Sequence, residues 1–221
     1  MPDPDPLPCI YVLAGTNGAG KSSIAGAMFL AKGAEYFNPD EVASRIRSAN
    51  SGLTGAEANS AAWNQGKRLL QRAIAERLSF AFETTLGGNT IPALLGSALS
   101  AGLAVRIWYV GLSGVEVHIA RVRARVGKGG HAIPEHKIRE RYDRSRLNLI
   151  RLMPRLTELL VYDNSTEADP DAGERPEPKL LLHMALGKIC SSRDLQVIPK
   201  WAKPILATAL KIAGRRDIGK G

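Results

Sequence analysis

The sequence predicts an α/β fold: a three-layer sandwich around a mostly parallel, five-stranded sheet, with a helical lid and a small C-terminal extension. Two observations carry this expectation. Short apolar runs alternate with longer helical stretches from Ile10 to Ser165, the order that builds parallel sheets through right-handed crossovers. The first run, IYVLA at 10–14, ends in the glycine-rich AGTNGAGKSS, as a buried parallel strand does when it feeds a loop and then a helix.

The elements follow in order. Residues 1–8 hold four prolines and two acids with no apolar core, which reads as a disordered lead-in rather than a secretory signal. A helix is expected from about Gly20 to Lys32, then a strand in EYFN (35–38) ended by Pro39. EVASRIRS and a longer stretch from about Gly55 to Leu78 are helical; SFAFETT (79–85) is the third strand. NTIPALLGSALSAG fits a helix with Asn89 or Thr90 near its start and Gly102 past its end. VRIWYVGL (105–112) is the fourth strand. The next helix has an apolar seam of Val115, Ile119, Val122 and Val126, with His118, Arg121 and Arg125 on its other face. VGKGGHAIP interrupts it, and Pro134 opens a helix with a second seam, Ile138, Tyr142, Leu149 and Leu152. ELLVYDNS (158–165) is the fifth strand. The domain thus spans 9–165. Residues 166–221 are a polar, Pro-rich linker and an extension, with a strand expected in KLLLHMALGKI and a closing helix from about Pro199 to Ala213.

Composition narrows the function. No run approaches about 20 apolar residues, so no membrane span is expected. Cys9 and Cys190 have no metal-type spacing and read as reduced, packed thiols of a cytoplasmic protein. The formal net charge is +9, and the 26 residues from Arg121 to Arg146 hold nine Lys or Arg against three acids. That concentration suits either a nucleic-acid backbone or a lid over a triphosphate.

Gly15-Thr16-Asn17-Gly18-Ala19-Gly20-Lys21-Ser22 satisfies G-x-x-x-x-G-K-[ST] at every fixed position. Glycines let main-chain amides converge on phosphate oxygens, and the following helix adds its positive end. This defines a P-loop NTPase fold. In it Lys21 reaches the β- and γ-phosphates of ATP or GTP and Ser22 offers its hydroxyl to Mg²⁺, with Ser23 beside it. Two acids fall at strand ends, where ligands of open α/β sheets gather. Asp40 is either the N-cap of the following helix, a catalytic base, or both. Glu83 ends an apolar strand beside Thr84 and Thr85, and needs a partner or a ligand there. The basic segment lies between the fourth and fifth strands, so it reads as a lid, about 121–146, whose arginines would grip the transferring phosphoryl. Arg121 and Arg125 share a helix face. Arg123 lies nearer Glu116 and suits a pair with it. Spacing does not choose between Arg139 and Arg141.

AGTNGAGKSS, FNPDEVA, FAFETTLGG, RVRARVGKGGHAIPEHKIRERYDRSRLNL and VYDNS together resemble the zeta-toxin family of P-loop kinases, in particular its stand-alone bacterial branch. The likeness spans about residues 10–165. It implies a nucleoside-kinase-like fold and transfer of a γ-phosphate to a sugar hydroxyl, with UDP-N-acetylglucosamine the acceptor in the better understood members. It further implies Asp40 as base, Glu83 and Thr85 as acceptor contacts, and Arg121, Arg125 and Arg141 as lid groups steadying the γ-phosphate. Asn164 would border the donor base, and an antitoxin protein is an implied partner. The GGH-containing loop departs from the zeta-toxin lid. Two other readings compete: a kinase for nucleic-acid ends, and a nucleotide-dependent binding switch with little turnover. Aromatics are 5% of the chain, which leaves few base-stacking platforms and argues against nucleic acid. Trp63, Asn64 and Lys67 are candidates to face the pocket, although a packed Trp and a solvated Lys fit the pattern as well.

Overall fold

The computed structural model describes residues 8–21, 36–127, 130, 132–166 and 177–218. Ser22, Ser23, the rest of the helix expected after the glycine loop and most of the linker lie outside the described residues. The strands are β1 (Cys9–Ala14), β2 (Tyr36–Phe37), β3 (Phe80–Thr84), β4 (Ala104–Gly111), β5 (Glu158–Asp163), β6 (Lys179–Ala185) and β7 (Lys188–Ser192). The helices are α1 (Pro39–Ala49), α2 (Gly55–Glu76), α3 (Thr90–Ser100), α4 (Val115–Gly127), α5 (Glu135–Leu152) and α6 (Lys203–Ile218).

The sheet runs β2-β3-β1-β4-β5-β6-β7, with the first five strands parallel. β1 is central and buried: Ile10, Val12 and Ala14 join the main core, while Leu13 packs with Ala81, Trp108 and Val110 in a second cluster. Such two-sided burial is why these strands are apolar without alternation. The register sets Leu13 opposite Glu83 on one side and Trp108 on the other. The carboxyl ends of β1 and β3 therefore finish level, and the glycine loop and the TTLGGN loop emerge side by side.

The sheet has seven strands rather than the five expected. KLLLHMALGKIC is a hairpin, not one strand: Leu186 and Gly187 both take positive φ (48° and 76°) between Ala185 and Lys188, the two-residue turn that suits antiparallel twist. β6 pairs antiparallel with β5, so the extension continues the sheet. Leu181, Leu182, Met184, Trp201, Ile205 and Leu206 belong to the same core cluster as β1. Cys190 is exposed on β7, which corrects the expectation that both thiols are packed; Cys9 is buried.

Local signals account for the helix starts. α2 opens with a capping box between Thr54 and Glu57. α1 opens at Pro39, and its cap is Asn38, whose side-chain oxygen accepts from the amides of Asp40 and Glu41. Asp40 is thus inside the first turn and is not the cap. Pro39 ends the strand and occupies a first-turn position, where the absent N–H is not missed.

Trp201 fastens the C-terminal segment. It is 3% exposed; its indole N–H donates to Asp163 Oδ1 at 3.1 Å, and its ring lies where a Cβ on Gly111 would be. Trp201→Ala should cost about 3–5 kcal/mol in urea unfolding, whereas Trp63→Ala, at a 43% exposed position, should shift the midpoint little.

Candidate active site at the glycine loop

The loop needs its glycines. Gly15 has φ +147°, and a Cβ there would strike the carbonyl oxygen of Val110. Its N–H donates to Thr84 O at 3.2 Å, tying the loop to the end of β3. Gly18 and Gly20 both have φ +81°, so the chain curls without side chains facing inward. Lys21, which closes the loop, is itself in helical conformation, in keeping with an anion cradle at a helix start. Lys21 itself is buried and folds back on the loop, its Nζ donating to Gly15 O at 2.7 Å and lying 3.5 Å from Glu83 Oε1. Glu83 Oε2 accepts from Tyr36 OH at 3.0 Å. The strand-ending carboxylate therefore has two partners, and burial next to it pushes the Tyr36 phenol far up.

α5 holds this loop and its neighbour together. Arg141 Nη1 donates to Asn17 Oδ1 at 2.9 Å. Ser145, in the middle of the apolar seam, accepts from buried Tyr109 OH at 3.0 Å and donates to Thr85 O at 2.6 Å; burial pushes the Tyr109 phenol up to about 12. Asn148 Nδ2 donates to Leu86 O and Gly88 O at 2.8 and 2.9 Å. Leu86 is buried with φ +55°, a conformation costing on the order of 1 kcal/mol for a side-chain-bearing residue, and the Asn148 clamp offsets it. Arg141, Ser145 and Asn148 lie at i, i+4 and i+7, a polar stripe along one face. Sequence reasoning named Arg141 and missed the other two. The signal was present: Ser145 interrupts an otherwise apolar 3–4 spacing.

A single cleft of about 800 Å³ is bounded by the loop (Asn17, Gly18, Gly20, Lys21), Asp40, Glu83, Thr85 and the basic helices. Arg121, Arg125 and Arg141 all line it. Arg125 Nη1 is 3.4 Å from Asp40 Oδ2 across the opening. Arg139 points elsewhere, paired with Glu116 at 2.6 Å, and Arg123 pairs with Glu135. The expected Arg123–Glu116 pair is thus replaced by two pairs that link α4 to α5. At exposed sites such pairs contribute under about 1 kcal/mol; their effect is to set the angle between the arms. Among the described residues no group of three or more His, Cys, Asp or Glu is placed to hold a metal ion.

Three residues sit differently from the sequence expectation. Asn164 is 2% exposed beneath the loop, where its Nδ2 donates to Ala19 O at 2.9 Å; it braces the loop from below. His118 is 1% exposed, not on an open polar face, while Val126, expected in the seam, is exposed. His118 Nδ1 lies 2.8 Å from Asn17 O. A carbonyl only accepts, so this nitrogen carries the proton. Burial, helped by nearby Lys21 and Arg121, pulls its pKa down to about 4 against the opposing Asn17 bond.

The order of strands, the loop at the end of β1 and the helical arms make this the fold of P-loop kinases. The sequence matches the Zeta toxin family over residues 2–169, and the chain belongs to that family. An uncharacterised protein of Haemophilus influenzae is 34% identical over 129 residues, 58% of this chain and 88% of the relative. Among solved structures, the AvrRxo1-ORF1:AvrRxo1-ORF2 complex with sulphate ions superposes with a TM-score of 0.68 at 17% identity, covering 90% of this chain. The same complex with ATP gives 0.65 at 17% identity over 95% of this chain. This chain spans only 65% and 64% of those two chains. The PezAT toxin–antitoxin system of Streptococcus pneumoniae gives 0.52 at 14% identity, covering 79% of this chain and 76% of that one.

The burial of His118 makes stability depend on pH, and the tight fit at Gly15 makes the loop intolerant of a side chain. Between pH 6.5 and about 4 the unfolded chain binds a proton there that the folded chain does not, so stability falls as pH drops through that window, by on the order of 3 kcal/mol at most. His118→Asn, which keeps a donor for Asn17 O, should flatten that part of a melting-temperature profile relative to wild type. Gly15→Ala should lose nucleotide binding at least tenfold in a titration, since the loop must rebuild around the new methyl group.

Proposed function

We propose that the protein is an ATP- or GTP-dependent phosphotransferase. It would pass the γ-phosphate to a hydroxyl of a nucleotide sugar of the UDP-N-acetylglucosamine type or a related small metabolite. The observation that carries this reading is that Asp40 and Lys21 border one cleft, with room for an acceptor between a candidate base and a candidate phosphate clamp. The Zeta toxin family match supports the same chemistry.

In this reading the amides of Gly15 to Gly20 and the Lys21 ammonium hold the donor's phosphates. Lys21 leaves Gly15 O and Glu83 to do so, exchanging neutral and acidic partners for a more highly charged one. By motif Ser22 would hold Mg²⁺, which would supply positive charge to the triphosphate; the glycine curl up to Lys21 suits such an anion. Asp40 accepts the proton of the attacking hydroxyl, within hydrogen-bond reach of it. Thr85 and Glu83 position the acceptor. Arg121, Arg125 and Arg141 reach the cleft from both arms, where guanidinium groups stabilise charge on the transferring phosphoryl and help exclude water. A role as a toxin checked by a partner antitoxin is part of the proposal, supported by the family and by the PezAT likeness in fold.

With ATP, Mg²⁺ and a bacterial metabolite extract, mass spectrometry should find a product heavier by one phosphate. Asp40→Asn should keep ATP binding and lower transfer by about 10²-fold or more, while Lys21→Ala should lose both and abolish any toxicity on expression. Free phosphate as the sole product, or unchanged transfer in Asp40→Asn, would refute the reading.

A further inference from the structure

The tip of the glycine loop is a β-turn. Thr16 O accepts from the amide of Ala19 at 3.1 Å, so Asn17 and Gly18 are its two central residues, and Gly18 has φ +81°. A positive φ at the third position of a turn is the type II form. Type I differs from it by a half-rotation of one peptide unit, here Asn17–Gly18, and glycine tolerates either. What the turn presents to the cleft therefore depends on which way this single peptide faces.

A residue of α4 sets that direction. His118 Nδ1 donates to Asn17 O at 2.8 Å. Asn17 and Gly18 line the cleft, whereas the imidazole is 1% exposed and lies behind them. The peptide is trans, and in a trans peptide the carbonyl and the following N–H point in opposite directions. With the Asn17 carbonyl drawn back toward α4, the Gly18 N–H is turned away from that helix and toward the cleft. Among the described residues no acceptor is bonded to it.

The imidazole is itself held from the second arm. Its ring meets Tyr142 edge-on, with centroids 5.5 Å apart, and the Arg146 guanidinium covers the Tyr142 ring at 4.1 Å. A Cβ on Gly18 would lie 2.7 Å from the His118 carbonyl oxygen, so α4 sits directly on the turn with no room for a side chain between them. Arg141 of α5 takes the side chain of the same Asn17.

Resting on the reading of the loop as the donor's phosphate site, we infer that His118 is a positioning residue for phosphate binding. It holds the Asn17–Gly18 peptide in the orientation that offers the Gly18 N–H to a donor phosphate oxygen, and it touches no reactant itself. Flipped, the same peptide would turn the Asn17 carbonyl oxygen toward a polyanion. The arm α4 thus serves the donor site through the turn as well as through its arginines.

Asn17–Gly18 is the only Asn-Gly pair in the chain, so full-length protein made with ¹³C-carbonyl asparagine and ¹⁵N-glycine gives one selected amide signal in NMR. Saturation with a non-hydrolysable ATP analogue and Mg²⁺ should move that amide proton downfield in wild type. His118→Leu, which fills the space without a donor, should weaken the analogue about tenfold in equilibrium dialysis, the worth of one buried hydrogen bond, and should leave the Gly18 signal near its nucleotide-free position. His118→Asn keeps a donor at the same place and should stay within about threefold of wild type; a general loosening of the fold would weaken both variants alike. Equal affinity of wild type and His118→Leu, or His118→Asn as weak as His118→Leu, would overturn the assignment. So would a wild-type Gly18 signal that stays in place with the analogue bound, a measurement that decides the matter even where His118→Leu does not fold. If wild type binds no analogue, the reading of the loop as a phosphate site fails and this inference falls with it.

Discussion

The polar stripe of α5 is the constraint on which the site depends. Two loops at the end of a parallel sheet have no reason of their own to keep one relative position, since each is joined to the sheet through a single strand. Here Arg141 holds Asn17 of the first loop, while Ser145 and Asn148 hold the carbonyls of Thr85, Leu86 and Gly88 in the second. A backbone strained at Leu86 persists because the helix over-determines it. The glycine loop and the TTLGGN loop are thereby fixed to one rigid body, which is what the proposed transfer between two bound reactants would demand.

The positive charge has two distinct uses. Some arginines are spent within the protein: Arg123 and Arg139 pair across the two arms, and Arg106 pairs with Glu158 at 3.1 Å on the far side of the sheet. Others, Arg121, Arg125, Arg141 and Arg144, reach the cleft. The net charge of +9 is therefore not spread uniformly over the surface. Four of its arginines converge on one cavity.

The first strand and the glycine loop were legible because they rest on local rules: a continuous apolar run, then glycines, then Lys-Ser. So were the core strands β3, β4 and β5 and the helices α2 and α3, the latter's ends marked by Asn89 and Gly102. What escaped was decided by tertiary contact. Asn38 took the cap from Asp40 by one competing side chain two positions earlier. His118 looked like a polar-face residue by periodicity, but the glycine loop covers that face and supplies a carbonyl. The partners of Arg123 and Arg139 depend on how α4 and α5 cross, which no spacing within one helix reveals. The hairpin after Lys179 was hidden because Leu186 supplies a left-handed turn residue where Asn or Gly is the usual sign.

The family match ends at residue 169, but the fold does not. β5, which would otherwise be the outer edge of the parallel sheet, is covered by β6; Asp163 at its tip is bonded to the indole of Trp201; and Arg146 of α5 donates to the Trp201 carbonyl at 3.4 Å. A chain cut at the homology border would keep every signature residue and still lose the buttress behind the helix that aligns them. The family match and the hydrogen-bonded sheet end at different places in this molecule.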